Sequence, residues 1–161
     1  METEQSRKLL LERVSQLYEW LDAQIKGSRD LAGLCDACGK CCDFEAFGHR
    51  LFVSSPELLY FAAKLGPENA RQMKEGRCPY NIAGKCTVYE QRFAACRIFC
   101  CKGDPDFQGS LSESALKLLR AMCDEFEIPY RYMDLPTALN SPAAANTCQP
   151  AAKSGPLGLA D

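Results

Sequence analysis

The stretch Cys35-Asp36-Ala37-Cys38-Gly39-Lys40-Cys41-Cys42 places four cysteines within eight residues. Thiolates gathered this closely are soft ligands, which are typical of zinc and iron sites. The chain has one histidine, so cysteine is the dominant candidate ligand. The stretch therefore predicts a metal site that shapes the surrounding loop. A second group of cysteines follows downstream, at Cys78, Cys86, Cys96, Cys100 and Cys101.

The eleven cysteines could alternatively form the disulfides of a secreted scaffold. That interpretation is disfavoured because residues 1–8 are charged and polar and show no secretory leader. We therefore expect a soluble, cytoplasmic chain, in which thiols stay reduced. No apolar run has the roughly 18 residues of a membrane span, so no membrane association is expected. A net charge of −2 provides no basic surface for nucleic acid.

The spacing of the first cysteines resembles the opening of a bacterial ferredoxin loop, C-x2-C-x2-C. That loop would be completed by a cysteine at position 45, where this chain has glutamate, and Cys78-Pro79 could supply the missing thiolate from a distance. Cys38-Gly39 also resembles a zinc knuckle, and zinc sites commonly pair two of these. The downstream cysteines lack the matching C-x2-C spacing, which disfavours a standard zinc ribbon or finger.

Cys41 and Cys42 are neighbours, so their side chains diverge, and terminal binding of one ion by both would strain the loop. They are expected to serve two metals, unless one of them lies outside the ligand shell. The number of cysteines suits either two four-thiolate sites or one polynuclear cluster. The bound group could be an iron–sulfur cluster or zinc. The candidate ligands are Cys35, Cys38, Cys41, Cys42, Cys78, Cys86, Cys96 and Cys100, with Cys101 as the alternative to Cys100.

Three further residues have weaker claims to a role in the site. His49, the only histidine, is expected to be an ordinary polar residue, with ligation as the alternative. Cys123 lies beside an apolar helical stripe and is predicted to be a small buried hydrophobic residue. Cys148 falls in a region poor in large apolar side chains and is expected to be an unligated thiol.

Hydrophobic periodicity predicts a mostly α, small single domain with helices around an irregular cysteine-rich centre. A long amphipathic helix is expected over residues 4–26 and a C-terminal helix over about 111–126. A further helix is expected from Ser55-Pro56-Glu57, with Ser55 as its N-cap and proline at its first position. At most one short β-hairpin is expected, near residues 80–88. The predicted organisation is an N-terminal helical segment at 1–33, a metal-binding domain at 34–135, and a disordered Ala/Pro/Gly tail at 136–161.

The cysteine pattern, together with the segments 78–92 and 96–99, resembles the YkgJ-like family of zinc- or iron-chelating CxxCxxCC domains. The resemblance covers roughly residues 34–102. It departs from the family at Phe93, where members often have proline, so the turn before Cys96 is less well defined. A related cysteine module occurs in flagellin lysine N-methylases. The ligands that the resemblance implies are Cys35, Cys38, Cys41, Cys42, Cys78, Cys86 and Cys96.

These patterns favour a small metal-binding protein that carries electrons or handles metal, with metal ions as its partners. One alternative is an iron–sulfur or thiol oxidoreductase, or an accessory module of a protein-methylation enzyme. The sequence offers no acid–base pair, phosphate loop or dinucleotide fingerprint in support of an enzyme. Another alternative is a zinc-stabilised structural or adaptor domain, whose helices would pack on a partner.

Overall fold

Helices dominate the computed structural model, which describes residues 3–36 and 38–141. The strands are β1 (Phe52–Ser54), β2 (Asn81–Ile82), β3 (Lys85–Cys86) and β4 (Tyr132–Asp134). Short 3-10 turns cover Lys40–Cys42, Pro67–Asn69 and Tyr89–Gln91. The helices are α1 (Glu4–Gly27), α2 (Arg29–Ala32), α3 (Phe44–Phe47), α4 (Ser55–Leu65), α5 (Ala94–Ile98), α6 (Pro105–Glu125) and α7 (Leu135–Asn140).

The prediction of a mostly α domain with a short hairpin is confirmed by this architecture. The hairpin is formed by β2 and β3, which pair antiparallel with Asn81 opposite Cys86. A second two-stranded sheet pairs β1 with β4, also antiparallel, and places Val53 opposite Met133. This second pairing joins segments far apart in the chain, and the sequence pattern did not predict it.

The first hydrophobic core is built mainly by the two long helices, α1 and α6. Their apolar stripes meet as the helical periodicity predicts, and α4 and α5 close the core. Leu21 and Leu119 are fully buried in it. Cys123 also lies there with 2% of its surface exposed, as expected of a small buried hydrophobic side chain.

A second core lies on the other side of α4 and adjoins the cysteines. Leu59 and Tyr60 of α4 belong to the first core, whereas Leu58 and Phe61 belong to the second. Helix α4 therefore divides the two cores. Three cysteines pack at the edge of the second core, namely Cys78, Cys86 and Cys96.

Three element boundaries differ from the predictions. Helix α4 is capped by Ser54, one residue before the predicted cap, and Glu57 completes a capping box with it. Helix α6 begins at Pro105, before the predicted start at about residue 111. The Asp104 side chain caps it there, and proline is favoured in a first helical turn. The tail predicted from residue 136 overlaps α7, which covers Leu135–Asn140. Residues 142–161, including Cys148, lie outside the described residues.

None of the described helices combines the length and the apolar character that crossing a membrane requires.

Candidate metal centre

Backbone hydrogen bonds tie the first cysteine segment to the second. The Cys78 amide donates to the Cys42 carbonyl at 2.9 Å, and the amides of Phe44 and Glu45 donate to the Gly76 carbonyl at 2.8 and 3.1 Å. These bonds hold the two segments side by side although more than thirty residues separate them in the sequence. The predicted meeting of distant cysteine segments is therefore built into the backbone.

Gly39 lies where the two segments approach each other closely. Its φ of 73° lies in the left-handed region, and a Cβ at this position would come within 2.2 Å of the Gly84 carbonyl oxygen. Glycine is needed here both for the backbone conformation and for the space. The Asn81 side chain adds a hydrogen bond from Nδ2 to the Gly39 carbonyl at 3.2 Å. The β2–β3 hairpin thus packs directly on the loop that carries Cys38, Cys41 and Cys42.

Four half-buried sulfurs from both segments interact electrostatically where the segments meet. Cys42 is the common member, because its charge raises the pKa of each of the other three thiols. Cys78 also interacts with Cys86 and with Cys96. The first segment therefore contributes one sulfur to this group and the second contributes three. We refer to Cys42, Cys78, Cys86 and Cys96 as the inner cysteines.

Donors directed at the inner sulfurs favour their thiolate forms. The backbone N–H groups of Tyr80 and Asn81 stabilise the Cys78 thiolate and so act against the rise in its pKa, and the N–H of Val88 does the same for Cys86. The Asn81 side chain lowers the pKa of Cys42. Cysteine spacing alone did not reveal these donors, which resemble those of a zinc knuckle although the C-x2-C signature is absent. Asn81 was not identified from the sequence, since a lone asparagine in a predicted hairpin carries no distinctive signal.

The pKa values of the inner thiols differ in direction. Burial raises the pKa of Cys78 to about 11 and also raises the pKa values of Cys86 and Cys96. The hydrogen bond from the Cys41 thiol lowers the pKa of Cys42 to about 6 and raises the pKa of Cys41. Burial therefore keeps Cys78, Cys86 and Cys96 protonated at neutral pH without metal, whereas the hydrogen-bonded pair Cys41–Cys42 loses a proton more readily.

The remaining cysteines of the first segment face solvent. Cys35, Cys38 and Cys41 are all exposed, and we call them the outer cysteines. Of these, Cys41 interacts with Cys35 as well as with Cys42 and Cys96.

Cys100 and Cys101 lie at the end of the second cysteine segment, which packs there against the start of the first. Cys100 is buried, and a Cβ built on Gly33 would lie 3.1 Å from its sulfur. Cys101 is exposed. Lys102 is bound to Asp36 at 2.5 Å, beside Cys35. Cys100 therefore lies beside Gly33, at the start of the first segment.

His49 is held at the edge of the site by its ring. A ring nitrogen is 2.9 Å from the Cys41 carbonyl oxygen. The ring centroid lies 5.0 Å from that of Phe44 and 5.4 Å from that of Phe99, on which it stacks. These contacts give the histidine a structural role in the loop that carries Cys41 and Cys42.

A buried glutamate positions the helix that carries Cys96. Glu57 is only 2% exposed, and its Oε1 accepts hydrogen bonds from the Ala94 amide at 2.6 Å and from the Tyr18 hydroxyl at 3.3 Å. Its Oε2 accepts from the amide and the hydroxyl of Ser54 at 3.0 and 2.8 Å. The carboxylate thus joins α1, α4 and the first residue of α5. The Ser-x-x-Glu spacing is a sequence signal for the cap, but it does not reveal the bond to α5.

The inner cysteines fit a metal by their chemistry and surroundings. They present soft donors, and three of them receive hydrogen bonds that would support a ligated thiolate. Within the described part of the chain, the buried Oδ1 atom of Asn81 has no hydrogen-bond partner. Within residues 3–36 and 38–141, no three His, Cys, Asp or Glu side chains already stand in a geometry that would hold a metal ion.

The fold and this site define a small helical domain organised around clustered cysteines. The chain belongs to the CxxCxxCC family, described as "Putative zinc- or iron-chelating domain", which matches residues 34–124. No curated protein and no solved structure matches the chain significantly. Membership in the family confirms the resemblance drawn from the cysteine spacing and supports metal binding as the chemistry of the domain.

Proposed function

We propose that the protein holds zinc or iron, the latter as an iron–sulfur cluster, through its clustered cysteine thiolates. The observation that carries this proposal is the meeting of four sulfurs from two distant segments, with N–H donors directed at them. The proposed ligand set is Cys35, Cys38, Cys41, Cys42, Cys78, Cys86, Cys96 and Cys100.

The chain's own residues would prepare this set for metal. Backbone bonds between the segments hold Cys42 beside Cys78, and the β2–β3 pairing places Cys86 opposite Asn81. Arg92 and Arg77 interact electrostatically with the inner sulfurs and would offset part of the thiolate charge. When bound, zinc would supply a structural link between the segments, and an iron–sulfur cluster would add one-electron chemistry.

Exposure of the outer cysteines favours metal handling over electron transfer as the role of the site. Three solvent-facing thiols offer an incoming ion or a competing ligand direct access. Electron transfer is the second candidate and would require bound iron. Either role requires reduced thiols, so we propose the cytoplasm as the compartment.

Elemental analysis and visible absorption of protein purified without oxygen test the proposal. We expect stoichiometric zinc in a colourless protein, or iron and sulfide in a coloured one. The Cys78→Ser and Cys86→Ser variants should each lose metal, whereas Cys123→Ala, a change in the first core, should retain it. Folded, metal-free protein whose inner thiols all react freely would contradict the proposal.

A further inference from the structure

Cys96 lies in the middle of α5, a helix of only five residues. A helix this short is not stable by itself, because isolated helices need roughly 12–15 residues to persist in water. The orientation of α5, and with it the position of Cys96, therefore depends on contacts made from outside the helix. At its first residue, the Ala94 amide donates to the buried Glu57 carboxylate at 2.6 Å. On the other side of Cys96, the contacts are made by the Arg97 side chain.

The Arg97 guanidinium is buried among partners from separate parts of the chain. Only 6% of its side chain is exposed. Its Nε donates to the Arg92 carbonyl at 2.8 Å, and its Nη2 donates to the Glu90 carbonyl at 2.7 Å. Its Nη1 pairs with the Asp22 carboxylate of α1 at 2.8 Å. The guanidinium therefore joins α5 both to α1 and to the segment that precedes α5.

Tyr18 of α1 supports α5 on both sides of Cys96. The Arg97 Cζ lies 4.2 Å from the centroid of the Tyr18 ring. The hydroxyl of the same tyrosine donates to Glu57, which in turn accepts from the Ala94 amide. A planar guanidinium can stack on a ring while its N–H groups donate in the plane, whereas an ammonium group cannot do both. This geometry therefore requires an arginine and not simply a positive charge.

A second arginine strengthens the connection between α5 and the 3-10 turn that begins at Tyr89. Arg92 Nη1 donates to the Cys96 carbonyl at 3.4 Å, while Arg97 donates to the Arg92 carbonyl. The Arg92 guanidinium also lies over the Tyr89 ring, with its Cζ 3.7 Å from the centroid. The two arginines therefore exchange hydrogen bonds across the bend that separates Cys86 from Cys96 along the chain.

We propose that Arg97 is a positioning residue of the metal centre, which holds α5 so that Cys96 stays with the other inner cysteines. This inference rests on the proposed metal-binding function. The guanidinium is occupied by a carboxylate, two carbonyl oxygens and a ring, so it acts through the backbone of α5 and not as a counter-charge at the sulfurs. Arg92 differs in this respect, because its charge interacts with the Cys86 and Cys96 sulfurs.

Arg97→Lys separates orientation from charge, because lysine keeps the charge and loses the planar fork. Zinc affinity of the full chain is measured anaerobically by chelator competition in the wild type, Arg97→Lys, Cys96→Ser and the double variant. We expect Arg97→Lys to weaken zinc binding by about 10–100-fold, the range found for groups that orient metal ligands. In the Cys96→Ser background it should change affinity by no more than about twofold, since the arginine acts through that cysteine. Wild-type affinity in Arg97→Lys, or an equal loss in both backgrounds, would overturn the proposal.

Alkylation of the full chain as purified without oxygen provides a readout that does not depend on bound metal. Modification of each cysteine by iodoacetamide is followed by mass spectrometry of peptides. Arg97→Lys should speed modification of Cys96 by about tenfold, the factor equivalent to losing one hydrogen bond to a charged group. The buried Cys123 of the first core should keep its wild-type rate. Equal acceleration at both cysteines would assign Arg97 a role in overall stability and overturn the proposal.

Arg120→Lys is the matched control for the loss of a stacked guanidinium. Arg120 is an exposed residue of α6, and its Cζ lies 4.6 Å from the centroid of the Tyr130 ring. The control should leave both zinc affinity and Cys96 alkylation unchanged. The same losses in Arg120→Lys as in Arg97→Lys would overturn the assignment of the role to Arg97.

Asp22→Asn keeps the proposal testable if circular dichroism shows that Arg97→Lys does not fold. It removes only the ion pair and should speed Cys96 alkylation by about twofold to fivefold, the factor equivalent to a partly exposed pair. Unchanged alkylation in that case would overturn the proposal. A wild type that binds neither zinc nor iron would refute the proposed function, whereas selective acceleration at Cys96 would still support the orienting contacts of Arg97.

Discussion

Replacing Glu57 by glutamine tests how the buried carboxylate supports the site. Its two oxygens accept four hydrogen bonds from three residues, and each oxygen accepts one of them from a backbone N–H, which can only donate. An amide at this position turns one acceptor into a donor. Either Ala94 or Ser54 then keeps a buried backbone N–H without a partner, opposite another N–H group.

The expected loss of folding stability in Glu57→Gln follows from these hydrogen bonds. A buried unsatisfied donor costs about 1–3 kcal/mol, and losing a second hydrogen bond to a charged group brings the expected loss of stability to about 2–4 kcal/mol. For a chain of this size each kcal/mol lowers the Tm by about 2–4 °C. Because Ala94 begins the helix that carries Cys96, the variant should also bind metal more weakly.

Urea unfolding of the reduced protein and chelator competition of the loaded protein measure the two effects of Glu57→Gln. Glu4→Gln is the matched control, since Glu4 is an exposed acid in the first turn of α1. That control should change the unfolding free energy by no more than about 1 kcal/mol, the scale of a helix-dipole interaction. If Glu57→Gln unfolds like the control and retains its metal affinity, the positioning role is refuted.

Three other predictions concern the contact between the segments. Gly39→Ala should lower the Tm and weaken metal binding, because the alanine Cβ would lie 2.2 Å from the Gly84 carbonyl oxygen. Gly27→Ala is the control and should be tolerated, since nothing lies within 4 Å of a Cβ at that position. Asn81→Ala should lower zinc affinity by about 10–100-fold while the helical circular dichroism signal persists, since it removes a donor to an inner sulfur; unchanged affinity would contradict that role. Zinc binding to the inner cysteines at pH 7 should release about three protons, one from each inner thiol whose pKa burial raises, so zinc affinity should rise with pH. Calorimetry in buffers of different ionisation enthalpy measures that release, and a pH-independent affinity would refute it.

Local signals predicted the helices and the central hairpin. Apolar residues at helical spacing located α1 almost to its ends, and the turn residues between Tyr80 and Val88 located the hairpin. The β1–β4 pairing was not predictable in the same way. Each strand has only three residues, and each depends on a partner about eighty residues away in the sequence.

The candidate ligands could be predicted from cysteine spacing, but their surroundings could not. The donors at the Cys78 and Cys86 sulfurs depend on local turns, and the amide at Cys42 depends on the fold that brings Asn81 to it. The difference in exposure between Cys41 and Cys42 likewise arises from tertiary packing, since adjacent residues have the same sequence surroundings. The division of the ligands into groups therefore required the structure.

X-ray absorption at the metal edge of the anaerobically prepared protein tests the central claim most directly, because it reports the atoms bound to the ion. Cysteine ligation from both segments predicts a shell of sulfur atoms at about 2.3 Å for zinc. Cys78→Ser should replace part of that shell with lighter atoms or abolish metal binding. A shell of nitrogen and oxygen alone in the wild type would contradict the account.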